Sequence, residues 1–286
     1  MLRAATRGSA LARWQTAHIT ELLGRTADVE PLLVTTAGDR EPESPISAIG
    51  GKGVFAKEVQ AAVLDGRADF AVHSAKDLPA AIPDGLVLAA VPRRADPRDV
   101  LVGCRLSDLP EGGLVATGSA RRRVQLRELR PDLRFAELRG NIGTRLAKAA
   151  DFDAVVMAKA ALDRLGESPP VVDVLSCETM VPQVGQGALA VECRAEDDRI
   201  SSLLAAIQDP VTRREVDAER AFLATLGGDC TLPAGAHAHI EGDTLVMRAV
   251  LADGLDGRCH TVVGEGQDGE ALGRDLARQL LDTVAW

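Results

Sequence analysis

Phe70-Ala71-Val72 is a short apolar run, and the chain that leaves it, His73-Ser74-Ala75-Lys76-Asp77-Leu78-Pro79, cannot stay in a sheet beyond the proline. Ser74, Lys76 and Asp77 therefore stand where a strand gives way to a loop. Open α/β sheets present ligand groups at the carboxyl ends of their strands. A carboxylate beside an ammonium at such a place can accept hydrogen bonds from N–H groups or stabilise a developing cation. Taken alone, the segment is also what a helix cap or a surface ion pair looks like. Basic segments later in the chain argue for a ligand.

Strand and helix patterns alternate through the first two thirds of the sequence. Leu2 to Thr6 reads as a strand, and Ala10 to Leu23 as a helix with Leu11, Trp14 and Leu22 on one side. His18 shares that side, which predicts a core histidine. Arg7 and Ser9 lie at the junction, where backbone N–H groups and a guanidinium suit an anion. Val29 to Thr35 is a second strand. Residues 36–54 form a long loop carrying Asp39, Arg40 and Lys52, without the spacing of a phosphate-binding P-loop. Phe55, Val59, Ala62 and Val63 mark a helix, and Leu86 to Val91 a further strand. Pro92 to Pro97 reads as a crossover into a second domain.

In that domain Leu114 to Ala116 ends in Thr117-Gly118-Ser119, and Ser119 can cap a helix from Ala120 to Leu129. Its first turn carries Arg121, Arg122 and Arg123, although cations are unfavourable at a helix N-terminus. Three of them there suit a bound anion or a solvated face. A second such unit follows: a strand over Phe135 to Leu138, then Arg139 and Arg145 at the next helix start. Ala154 to Met157 is another strand, and Arg164 sits late in the helix after it. Val181 to Gly187 is a connector, Ala188 to Glu192 a strand, and helices follow around residues 200–207 and 216–226. Cys230 lies in a turn flanked by glycine and proline. Three strands and a final helix predict a small α+β domain.

The net charge over 286 residues is −9, which argues against nucleic acid as a partner. Arginines gathered at element ends of an acidic chain repel one another unless anions fill the cluster, and Arg prefers planar carboxylate or phosphate groups. The implied ligand is a polycarboxylate or a polyphosphate. The five cysteines form no C-x-x-C pair, so neither a metal site nor a disulfide framework is expected. No apolar stretch approaches a membrane span, and a cytoplasmic protein without a membrane partner is expected.

VHSAKDLP, GGKGVFAKE, ATGSARRR, LRGNIGTRL, VGQGAL and GGDCTLPAGA together closely resemble the hydroxymethylbilane synthase, or porphobilinogen deaminase, family. The resemblance runs from Arg7 to the last helix. It implies two similar α/β domains like type II periplasmic binding proteins, joined by two crossing strands, and a small α+β C-terminal domain with a three-stranded sheet. The expected division is 1–92 with 183–208, 97–182, and 211–286. It implies a monomeric transferase of tetrapyrrole biosynthesis that condenses four porphobilinogen molecules head to tail, releasing ammonia each time. A dipyrromethane cofactor, attached by a thioether at Cys230, serves as primer. By similarity Asp77 is the catalytic carboxylate. Ser74, Lys76, Thr117, Ser119, Arg121, Arg122 and Arg145 match cofactor-binding positions. Arg7, Ser9, Arg139, Arg164 and Gln186 match substrate-binding positions, and Lys52 and Phe55 the active-site loop. Gly118, Asp229 and Ala48 depart from the common pattern. A solute-binding protein on the same scaffold would have no use for Asp77 and Cys230 together. A phosphate transferase would need a Walker motif or a magnesium-binding carboxylate pair, and neither is evident.

Overall fold

The computed structural model describes residues 1–24, 27–40, 53–228, 232–254 and 257–284. The first region runs through strand β1 (Leu2–Arg7), helix α1 (Ala10–Leu23), β2 (Val29–Val34), α2 (Ala37–Arg40), α3 (Lys57–Leu64), β3 (Phe70–Ser74) and β4 (Leu86–Ala90). The second holds β5 (Asp99–Val102), β6 (Leu114–Ala116), α4 (Ala120–Leu129), β7 (Arg134–Ala136), α5 (Ile142–Ala147), β8 (Ala154–Ala158), α6 (Lys159–Leu165) and β9 (Val172–Val174). The chain then forms β10 (Leu189–Arg194) and α7 (Asp198–Ala205), followed by α8 (Pro210–Thr225), β11 (Ala234–Glu241), β12 (Thr244–Ala252), β13 (Cys259–Gly266) and α9 (Gly269–Thr283).

Two five-stranded sheets have one plan. Their orders are β2-β1-β3-β10-β4 and β7-β6-β8-β5-β9. In each, three parallel strands are followed by one antiparallel strand and then an edge strand. That antiparallel strand arrives by a crossover from the other sheet: β5 directly after the first region, β10 directly after the second. This is the pair of similar α/β units with two crossing connections that the family resemblance implies. The crossovers touch, with the Ala95 N–H donating to the Gly187 carbonyl at 3.1 Å. Gly187 has φ of 86°, and a Cβ there would lie 2.5 Å from the Ala95 carbonyl oxygen, so only glycine lets the two segments meet.

Strands β5 and β9 were not among the predicted elements. Each is short, four and three residues, and the Asp99 that opens β5 interrupts the apolar pattern a strand search relies on. Six of the helices, by contrast, start where the sequence places a capping side chain, whereas α3 and α6 start after an alanine without one. Ser9, Ser119, Asn141, Asp197, Asp209 and Asp268 each accept a backbone N–H of the first turn.

With no tyrosine and five phenylalanines, the cores rest on aliphatic packing. Phe70, Ile19, Val191, Ile200 and Leu204 fill one side of the first sheet, and Leu101, Val115, Leu126 and Met157 lie within the second domain. In the C-terminal region β11-β12-β13 is an antiparallel sheet covered by α8 and α9 through Phe222, Leu245, Met247, Leu276 and Leu280. Each such side chain contributes about 1.5–3 kcal/mol by leaving water.

The buried stripe of α1 is Ala12, Gln15, Thr16, Ile19 and Leu23. The face expected to be buried, Leu11, Trp14, His18 and Leu22, is one residue out of phase with it. Leu22 is exposed, and His18 is not a core histidine: its ring stacks on Trp14 at 5.1 Å with a third of its side chain in solvent. The helical period holds, but its phase is shifted: Ile19 and Leu23 pack on the sheet, while Trp14 lies against Arg164 of α6.

Candidate active site

β3 ends at Ser74, and a single 3-10 turn, Ala75–Asp77, carries the chain away from the sheet. Because β1 lies beside β3 and runs parallel to it, Arg7 leaves the sheet at the same edge. Ser74 Oγ accepts from Gln15 Nε2 of α1 at 3.4 Å. Lys76 is clamped by the second crossover: Gln183 Nε2 donates to its carbonyl at 3.1 Å, and its own Nζ donates to Gln186 Oε1 at 3.2 Å. Burial, and next the charge of Arg122, pull the Lys76 ammonium down to about 8; Asp77 and Asp99 partly oppose this. Among the described residues, none donates a hydrogen bond to the Asp77 carboxylate.

Across the crossover, α4 delivers Arg121 and Arg122, both buried. Their partner is Asp99, a fully buried acid that sequence reading did not single out. Arg121 NH2 and Arg122 NH2 each donate to Asp99 at 2.7 Å, Arg122 Nε does so at 3.1 Å, and Gln186 Nε2 at 2.9 Å. Burial would raise the Asp99 carboxyl, but the two guanidinium charges and these hydrogen bonds hold it well below the usual carboxylate range. Arg121 NH1 and Arg122 NH1 go to the carbonyls of Val181 and Val156. The anion that a basic helix start calls for is thus, in large part, inside the protein. Arg123, the third of the run, pairs with Glu137. The one sequence signal for Asp99 was an acid placed just after the crossover.

The remaining cations are less balanced. Arg145 Nε donates to the Gly140 carbonyl at 2.8 Å. Burial, together with Arg122 and Arg139 nearby, lowers it to about 10, and Asp77 is the acid that opposes this. Arg139 NH1 is buried without a hydrogen-bond partner. Arg164 NH2 donates to the Gly187 carbonyl at 2.7 Å, its guanidinium lies 5.6 Å over the Trp14 ring, and burial alone lowers it to about 10. Thr117 is buried and accepts from the Ser119 N–H at 3.2 Å; Ser9 and Ser119 cap α1 and α4. Gly118 is tight: a Cβ would lie 3.2 Å from Glu137 Oε2.

Arg7 pairs with Asp39 and stacks on Phe55, 4.1 Å from the ring centre. Lys52 and Cys230 lie outside the described residues, as do Ala48 and Asp229. Among the side chains just named, Arg7, Lys76, Arg121, Arg122, Arg139, Arg145 and Arg164 stand against Asp39, Asp77 and Asp99. Cations left over at half-buried positions call for carboxylates from outside.

A family model described as porphobilinogen deaminase, dipyromethane cofactor binding domain, matches residues 2–202, and one described as porphobilinogen deaminase, C-terminal domain, matches residues 213–282. The chain belongs to the porphobilinogen deaminase family. A porphobilinogen deaminase of Syntrophus aciditrophicus is 47% identical over 98% of this chain and 95% of its own. One of Roseiflexus castenholzii is 47% identical over 97% of this chain and 94% of its own. Among solved structures, a putative methionine-binding lipoprotein of Bacillus subtilis is similar over 73% of this chain and 90% of its own, at 13% identity and a TM-score of 0.43. The cationic surplus fits this family's carboxylate-rich dipyrromethane. No helix among the described residues is long and apolar enough to cross a membrane.

Proposed function

We propose that the chain condenses four porphobilinogen molecules head to tail into hydroxymethylbilane, with Asp77 as the carboxylate that carries the chemistry. Family membership over nearly the whole length supports the reaction. The observation that supports Asp77 is its state: a carboxylate at a strand end, near Lys76 and Arg145, with no hydrogen bond from a described residue. Such a group is free to accept pyrrole N–H groups. It also stabilises the positive charge that develops on the substrate as ammonia leaves, the kind of interaction that contributes most to rate.

Lys76, Arg139, Arg145 and Arg164 would hold the acetate and propionate groups of substrate and cofactor. Ser74, Thr117, Ser119 and Gln186 line the same region, and Arg121 and Arg122 act there through Asp99. Arg7, over Phe55, takes an incoming substrate carboxylate, Ser9 shapes that junction, and Lys52 belongs to the loop beside it. When bound, the dipyrromethane supplies the pyrrole end on which the chain is built; Cys230 is its attachment point. The protein works as a cytoplasmic monomer without nucleic acid. Its domains follow the division 1–92 with 183–208, 97–182 and 211–286.

Asp77→Asn keeps shape and removes charge. Turnover should fall by orders of magnitude with circular dichroism unchanged. A variant retaining more than about a tenth of the parent rate, about 1.4 kcal/mol of barrier, would remove Asp77 from this role. In parallel, Cys230→Ser should lack the two-pyrrole mass adduct, and an adduct persisting on that variant would reassign the attachment.

A further inference from the structure

A guanidinium can grip a carboxylate along two edges, Nε with NH2 or NH1 with NH2. In Arg7 the first edge is taken. Nε lies 3.2 Å from both Asp39 oxygens, and NH2 donates to Asp39 Oδ1. NH1 meets no acceptor among the described residues. The flat face is also held, since Phe55 lies beneath it at 4.1 Å.

Asp39 is itself fixed. Its Oδ2 accepts from the Thr36 hydroxyl at 2.7 Å and from the Thr36 N–H at 3.1 Å, and Thr36 is fully buried. Burial works against its charge, but hydrogen bonds from Arg7 and Thr36 outweigh it, so the carboxylate stays ionised. Phe55 is located as well. It packs so closely on Gly38 that a Cβ there would come within 2.1 Å of the ring. Two neighbours in sequence, Gly38 and Asp39, thus set the floor and the side of one arginine.

We propose that Asp39 is a positioning residue for substrate binding: it holds Arg7 side-on, with Phe55 beneath, so that the free NH1–NH2 edge receives a carboxylate of porphobilinogen. This rests on the reading of Arg7 as a substrate-carboxylate binder. A second carboxylate beside the same guanidinium is tolerable because the surrounding site holds more cations than acids. Asp39 works as a lever on Arg7 and does not touch the reacting atoms.

The test uses holoenzyme carrying its cofactor, confirmed by intact mass, with porphobilinogen as the probe. Asp39→Asn should raise KM at least about tenfold while kcat stays within about threefold, because only the approach of substrate is loosened. Thr36→Val, which keeps shape and frees Asp39 from one hydrogen bond, should raise KM by a smaller factor and serves if the Asn variant folds poorly. In an Arg7→Leu background, Asp39→Asn should add less than about twofold, since the lever then has nothing to hold. A KM for Asp39→Asn that is unchanged or lower overturns the proposal; a lower value would make Asp39 a competitor for Arg7. If Arg7→Leu itself leaves KM unchanged, the substrate-binding reading of Arg7 falls and the proposal with it. A raised KM for Arg7→Leu beside an unchanged one for Asp39→Asn sinks the proposal alone.

Discussion

The second domain builds two strand-to-helix junctions that look alike in sequence and differ in charge balance. β6 runs into α4 with Arg121 and Arg122, and β7 runs into α5 with Arg139 and Arg145. At the first, Asp99 accepts from both guanidiniums at 2.7 Å. At the second, Arg145 reaches a backbone carbonyl and Arg139 leaves a buried NH1 without a partner. The difference is the position of one acid: Asp99 opens β5, in register with Ala158 of β8, where α4 can reach it. A basic helix start is therefore weak evidence for a ligand. A buried cation without a counter-ion is stronger evidence, because its desolvation is uncompensated until a ligand arrives.

The largest expected effect comes from opening the closed junction. Asp99→Ala leaves two buried guanidiniums without their acid, and should destabilise the protein by about 3–5 kcal/mol in urea unfolding. A change below about 1 kcal/mol would mean that the charges are balanced elsewhere, and the contrast would collapse.

Removing a cation from the open junction should do the opposite to stability. Arg145→Leu deletes a half-buried charge whose hydrogen bond goes to a carbonyl, so Tm should hold or rise. Cofactor assembly, followed by intact mass after porphobilinogen is given to the apo-protein, should slow at least tenfold, about 1.4 kcal/mol. A Tm loss with normal assembly would show Arg145 to be structural.

Lys76 lies beside the first junction, and its ammonium is lowered from 10.5 to about 8 by burial and Arg122. Its folded value lies below its unfolded one, so the charged form is disfavoured by folding. That penalty is present below pH 8 and is relieved as pH rises from about 8 toward 10.5. Attraction for substrate carboxylates runs the other way: present below pH 8 and lost above it. KM should therefore rise about fivefold between pH 8 and 9, reaching about tenfold its low-pH value. Lys76→Arg should flatten that rise, and a KM independent of pH in this window for the parent would exclude Lys76 as the cation concerned.

The smallest effect compares the caps. Asn141 Oδ1 lies 2.9 Å from the Thr144 N–H, and Ser119 Oγ lies 3.5 Å from the Arg122 N–H. Asn141→Ala should lower stability by about 1 kcal/mol and Ser119→Ala by less. Equal losses would show that cap geometry does not distinguish the junctions.

Local features were legible in the chain alone. The helix boundaries at Ala10, Leu23, Ala120 and Leu129 match the reading, as do the strand end at Ser74 and the cap Ser119. Each depends on a few neighbouring residues, on apolar period and on one capping side chain. Of the site, the junction at Arg7 and the Ser74–Asp77 turn were visible for the same reason.

What only the tertiary structure decided is which groups meet. Asp99 stands 22 residues from Arg121 and 87 from Gln186, yet closes their charges and polar groups in one buried cluster. Asp39 reaches Arg7 across 32 residues, and Trp14 lies beneath Arg164 of the other domain. The face of α1 was misassigned for the same reason. A helical period gives the spacing of a stripe, but its partner is chosen by whichever surface lies opposite. Counter-ions are likewise set by distance in space, which falls off independently of separation along the chain.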